Sequence, residues 1–227
     1  MKIIAVRIGN KYGPEYEDYI ESKLPDYDIE WIREPIREDI QLQWNKMYGM
    51  SLDIDEPICV IDIDILLVNN YHYLFEFPVE PGQFLGMPCW WVDGDSRYKM
   101  NGGFYKYYPK DCRYIYDEFM SNADHWQRHY IENGTTIGPV NGEQHFVYDH
   151  AIKRLSVRLL PNEWFTRWKS NYQDTDRSME EWEYNITEQY RKLTGNQYIN
   201  LGGWHPDLKL VHFTHAQNKP IINNSNS

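Results

Sequence analysis

Basic blocks, long apolar runs and paired cysteines are all missing from this chain. Its 34 aspartates and glutamates outnumber 23 lysines and arginines, for a formal charge of -11 with no positive cluster anywhere. That argues against nucleic acid as a partner, because phosphate neutralisation drives such binding; an anionic ligand would need local compensation. No stretch approaches the ~18 apolar residues of a membrane span, and the opening MKIIAVRIGN is too short an apolar run for a signal peptide. The three cysteines, Cys59, Cys89 and Cys112, are odd in number and lack C-x-x-C spacing. Neither a disulfide framework nor a zinc site is indicated. Reduced thiols and a cytoplasmic location are therefore expected, and the sequons at Asn133, Asn185 and Asn223 carry no weight.

What is present is enough chain for a sizeable core. The 227 residues suit one domain, taken as residues 1 to 220 with a polar tail, residues 221 to 227, that frays. The opening KIIAVRI reads as a strand running into the loop GNKYG, after which Pro14 starts a helix, PEYEDYIESKL. A second strand, YDIEWI, precedes a helix expected over residues 39 to 50. QFLGMPCWW and NGGFYKYYP read as strands, residues 111 to 133 and 142 to 154 as helices, and VRLLP and LKLVHF as short strands. Strands alternating with helices predict an α/β fold with a mainly parallel central sheet flanked by helices. The 19 tyrosines and 9 tryptophans are a possible stacking surface for sugars, though ordinary packing accounts for most such residues.

The segment ICVIDIDILLV holds two charges in an otherwise aliphatic run, Asp62 and Asp64. Read as one strand, it puts both on one face with Ile58, Val60 and Leu66, and its two-sided apolar character marks a central strand. Two like charges in partly desolvated surroundings need a positive partner. Structural salt bridges or a solvent-reaching strand end would satisfy them. So would a divalent cation, because Mg²⁺ and Mn²⁺ prefer oxygen ligands and open α/β sheets bind ligands at the carboxyl ends of their strands.

Four further stretches accompany the aspartates: GNKYGPEY, MNGGFY, NGEQ and VHFTHAQNKP. In this order and spacing the chain resembles the glycogenin-like retaining glycosyltransferases of the GT-A (Rossmann-like) fold, and more closely a set of bacterial and viral glycosyltransferases whose first loop reads like KYGPEY. The likeness spans about residues 2 to 220. It implies a nucleotide-sugar-binding domain that transfers a hexose from a UDP-sugar, UDP-glucose or UDP-galactose, to a glycan, protein or small-molecule acceptor. Mn²⁺ or Mg²⁺ would be held by Asp62, Asp64 and His212, with Asp62 also near the ribose. Tyr12 would stack on uracil, Asn101 and Gly103 would lie near the donor sugar, and Glu143 and Gln144 would bind sugar hydroxyls. Lys219 would approach the diphosphate. Lys46 matches a basic residue preceding the metal strand, although an exposed helical lysine is the plainer reading.

Departures from the family pattern leave points open. The spacing from His212 to Lys219 is seven where the family usually has six, so His215 competes with His212 for the ligand role. Glu143 stands where the family has Asp, which leaves the sugar preference open; if the reaction inverts, Glu143 is the first candidate for general base. A noncatalytic nucleotide-sugar or carbohydrate-binding protein, and a sugar-phosphate nucleotidyltransferase, remain as alternatives. The second would need a glycine-rich phosphate loop with basic residues after the first strand, which GNKYGPEY matches poorly.

Overall fold

A computed structural model describes residues 1–89, 99–132, 142–167 and 207–212. Strand β1 (Lys2–Val6) leads through a loop to helix α1 (Pro14–Lys23), and β2 (Asp28–Ile32) follows. Pro14 stands in the first turn of α1, where its missing N–H leaves no hydrogen bond unmade. A 3-10 helix (Leu42–Ser51) precedes β3 (Ile58–Ile61), β4 (Ile65–Leu67) and α2 (His72–Glu76). Then come β5 (Gln83–Pro88), β6 (Met100–Tyr107), α3 (Pro109–Ser121), α4 (Ala123–Glu132), α5 (Glu143–Ala151) and β7 (Ser156–Leu159). A single 3-10 turn (Asn162–Trp164), β8 (Phe165–Arg167) and β9 (Leu210–His212) complete the described elements.

The central sheet has the order β2-β1-β3-β6-β5-β7. Strands β1, β2 and β3 pair in parallel, β6 runs antiparallel to both β3 and β5, and β7 is parallel to β5. Five strands thus point one way, as the alternation of elements predicts. Each face of the sheet has its own core. Ile4, Ile58 and Val60 pack with Trp44, Met47, Phe119 and Phe146, while Ile3, Ala5, Cys59 and Ile61 pack with Tyr16, Ile20 and Leu24 of the α1 side. Trp44, fully buried, stacks on Phe119 at 5.1 Å between ring centroids. All three cysteines are buried and free. Among the described residues no helix is long and apolar enough to cross a membrane.

Three elements depart from the sequence expectation. The run from Ile58 to Val68 is two strands in two sheets, not one strand. β3 ends at Ile61, the chain bends through Asp62 to Asp64, and β4 joins a second sheet, ordered β4-β9-β8. Both halves are buried on both faces, so apolar pattern alone does not separate one long strand from two short ones. The expected helix over residues 39 to 50 is the 3-10 segment, tied by the buried Asn45. Its amide donates to Ile40 O and Leu42 O and accepts from Ile36 N at 2.8 Å, side-chain bonds that compete with α-helical backbone pairing. The expected helix over 111 to 133 is α3 and α4, parted at Asn122, whose side-chain oxygen accepts from His125 N as an N-cap does.

Candidate active site

The order in which strands are added switches sides at β1, which has β2 on one side and β3 on the other, and the crevice beyond the carboxyl ends of strands at such a switch point is the usual ligand site of open α/β sheets. The loop after β1 carries Tyr12, and the bend after β3 carries Asp62 and Asp64. Strand β9 brings His212 to the same place by pairing with Ile65 of β4. The neighbouring β6 contributes an irregularity. Its register with β5 jumps from Gly86↔Tyr105 to Met87↔Asn101, so Gly102, Gly103 and Phe104 have no register partner in β5. That stretch stays bonded to the residue just past the end of β3, Asp62 N donating to Gly103 O at 3.1 Å.

Two carboxylates and an imidazole converge here. His212 Nε2 lies 3.0 Å from Asp62 Oδ2 and 3.7 Å from Asp64 Oδ1, and the three side chains each offer a ligand atom within 4.8 Å of the others. The outward oxygens are held from behind: Lys46 Nζ pairs with Asp62 Oδ1, and Tyr12 OH donates to Asp64 Oδ2 at 2.7 Å. His212 is buried and its Nδ1 has no partner among the described residues. Two carboxylate oxygens and one imidazole nitrogen converging at one point are a donor set suited to Mn²⁺ or Mg²⁺. Lys46 offsets only one of the two acids, so the cluster has negative charge to spare for a cation.

Lys46 is not the exposed helical lysine of the plainer reading. It is 4% exposed, donates to Gly102 O at 2.7 Å, and stands 3.9 Å from Glu143 Oε2. Burial pushes its pKa down, but Asp62 and Glu143 outweigh that and hold the ammonium charged. Burial likewise pushes the Asp62 carboxyl up, yet Lys46 and His212 prevail and keep it below the usual carboxylate range. Glu143, in the first turn of α5 and 2% exposed, goes the other way. Burial raises it to about 7, against the pull of Lys46. Tyr105 OH lies 3.5 Å from its Oε2.

The remaining candidates surround this centre. Gln144 Oε1 accepts from Gly102 N at 2.8 Å, and the buried Asn101 uses its side-chain oxygen on Gly103 N at 2.8 Å. Gly103 has a steric reason beyond ligand approach. A Cβ there would meet Met87 Cε at 2.5 Å and the His212 ring at 3.3 Å, so the absence of a side chain makes room for the imidazole. Sequence reasoning missed Tyr105 and Gly102, the two groups that link Glu143 and Lys46 to β6; the Asn-Gly-Gly run was the only signal for them. Lys219 and His215 lie outside the described residues.

No protein-family model matches the sequence, and no curated protein matches it. Solved structures do. A galactosyltransferase, LgtC, in complex with donor and acceptor sugar analogues superposes with a TM-score of 0.55 over 95% of this chain and 87% of its own, at 12% identity. A glycosyltransferase involved in glycosylating the major capsid of PBCV-1 gives 0.53 over 96% and 97%, at 13% identity. The glycosyltransferase GlyE of Streptococcus pneumoniae TIGR4 gives 0.57 at 10% identity, over 94% of this chain but 54% of GlyE. The chain has the GT-A fold. In GT-A terms, Asp62 and Asp64 stand on the bend that leaves the parallel half of the sheet, and His212 comes from the small second sheet beside it.

Proposed function

We propose that this GT-A chain is a metal-dependent glycosyltransferase that moves a hexose from a UDP-sugar, UDP-glucose or UDP-galactose, to a glycan, protein or small-molecule acceptor with retention of configuration. The observation that carries the reading is the convergence of Asp62, Asp64 and His212 beyond the carboxyl end of β3. These residues are 150 positions apart in sequence at the extremes, and packing alone gives no reason to gather two acids and an imidazole at one point.

The chemistry needed is departure of a nucleoside diphosphate while positive charge grows on the anomeric carbon. Asp62, Asp64 and His212 would hold Mn²⁺ or Mg²⁺, which supplies positive charge against the leaving diphosphate. Lys219 would add a second positive charge there, and preorganised charge of this kind is usually the largest catalytic contribution. Tyr12 presents a flat ring at the loop after β1, where stacking on a base contributes roughly 1–3 kcal/mol in other proteins. Asn101 and Gly103 shape the floor of the site, with Gln144 bracing Gly102. Burial of Glu143 behind Lys46 supports a positioning or sugar-binding role over that of a base on the acceptor. That fits retention, in which a donor phosphate oxygen takes the acceptor's proton.

Calorimetry of UDP with Mn²⁺ and with chelator tests the reading. UDP should bind tightly with the metal and weakly without it. Equal affinity in both conditions would remove the metal bridge.

A further inference from the structure

A carboxylate ligates a cation through one oxygen or both, and in the one-oxygen mode a partner on the other oxygen fixes which one faces the ion. Past the end of β3 an aspartate side chain has two free torsions, and Asp64, unlike Asp62 with its backbone bond to Gly103 O, also stands on the bend. The two side chains are restrained in parallel. Asp62 gives one oxygen to Lys46 and turns the other to His212 Nε2. Asp64 gives Oδ2 to the Tyr12 hydroxyl and turns Oδ1 toward the same nitrogen. The tyrosine is anchored at both ends. Its ring meets Tyr16 edge-on at 4.8 Å, and Tyr16 is itself 1% exposed in the core under α1. Lys11 Nζ lies 4.7 Å from the ring centroid. The hydroxyl reaches across 52 residues of sequence to the bend.

We propose that Tyr12 is a positioning residue for the cation site, its phenol fixing the rotamer of Asp64 so that Oδ1 faces the metal, in addition to any contact its ring makes with a base. The proposal rests on the metal-dependent reading given above. A phenol suits the task better than a second ammonium, because it restrains the carboxylate without neutralising the charge that draws the cation. Outer partners of ligating carboxylates typically change metal affinity by about 10- to 100-fold when removed.

The test is Mn²⁺ titration followed by electron paramagnetic resonance, without nucleotide, on the wild type, Tyr12→Phe and Asp64→Asn. Tyr12→Phe keeps the ring and its packing on Tyr16 and deletes one hydroxyl. It should bind Mn²⁺ about 10- to 100-fold more weakly while its melting temperature in chelator stays close to the wild type's, a split that general loosening of the fold would not produce. Wild-type or tighter Mn²⁺ affinity in Tyr12→Phe, with affinity lost in Asp64→Asn, overturns the Tyr12 assignment alone. Mn²⁺ affinity equal in all three proteins overturns the metal site and this proposal together. A measurement on the wild type guards against a variant that does not fold: with ring-labelled tyrosine, saturating Mg²⁺ should shift a tyrosine resonance, and a spectrum unchanged by Mg²⁺ overturns the proposal.

Discussion

Glu143 shows how far a single residue's chemistry departs from its sequence appearance. An acid in the first turn of a helix normally enjoys the helix dipole and stays ionised, yet burial raises this one to about 7. A raised carboxyl favours the folded state while protonated. Its contribution is full below the unfolded value near 4.5 and is lost as pH rises through about 7. Glu143→Gln mimics the protonated form, so in chelator it should be more stable than the wild type at pH 8, by at most roughly 3 kcal/mol, and no more stable at pH 4, below the unfolded value. Urea midpoints at the two pH values check this. Asp62 does not interfere, because its lowered pKa gives a contribution that is present above about 3.8 and lost only as pH falls below it. A variant equally destabilised at both pH values would contradict the buried, proton-holding state of Glu143. Lys46 carries the same lesson: in sequence it reads as an exposed helical lysine, and only its contacts with Gly102 O, Asp62 and Glu143 show that its ammonium is enclosed.

At the scale of elements, the sequence was most legible where periodicity and punctuation agree. β1, α1 and β2 follow from an apolar run, a Gly-containing loop, a proline and a second run, and the two-sided burial of Ile58 to Ile61 follows from the absence of polar residues. The division between β3 and β4 was not legible, because what ends β3 is a change of pairing partner. β8 was missed because three residues carry no period. For β9, alternation in LKLVHF correctly placed Leu210 and His212 on one side, and the register Ile65↔His212 fixes where that side points. This makes a sharp comparison possible. His212→Ala should abolish Mn²⁺ binding and His215→Ala should leave it intact, as read by Mn²⁺ titration. Loss in His215→Ala alone would shift the ligand into the segment after β9.

At the scale of the whole molecule, the proposed anionic donor has to meet an acidic chain. Its net charge of -11 would repel a nucleoside diphosphate, and the site itself holds two acids against one lysine. In the proposed reading a divalent cation on Asp62, Asp64 and His212 would reverse that locally. The fold supplies the place, since β1 and β3 lie side by side in parallel and their carboxyl ends share one edge of the sheet. The acceptor was legible in neither sequence nor fold, because acceptor contacts fall on loops.

Release of UDP from UDP-glucose, UDP-galactose and their N-acetyl forms, with Mn²⁺ and no acceptor, tests the central claim most directly, with Asp64→Asn alongside. Water acting as a poor acceptor should let UDP accumulate from one preferred sugar, and Asp64→Asn should lower that rate by about 10²–10³, as for loss of one preorganised charge, without unfolding the protein. Unchanged turnover in Asp64→Asn would contradict the metal assignment, and no UDP from any donor by a wild type that still binds UDP would contradict the transferase in favour of a binding protein.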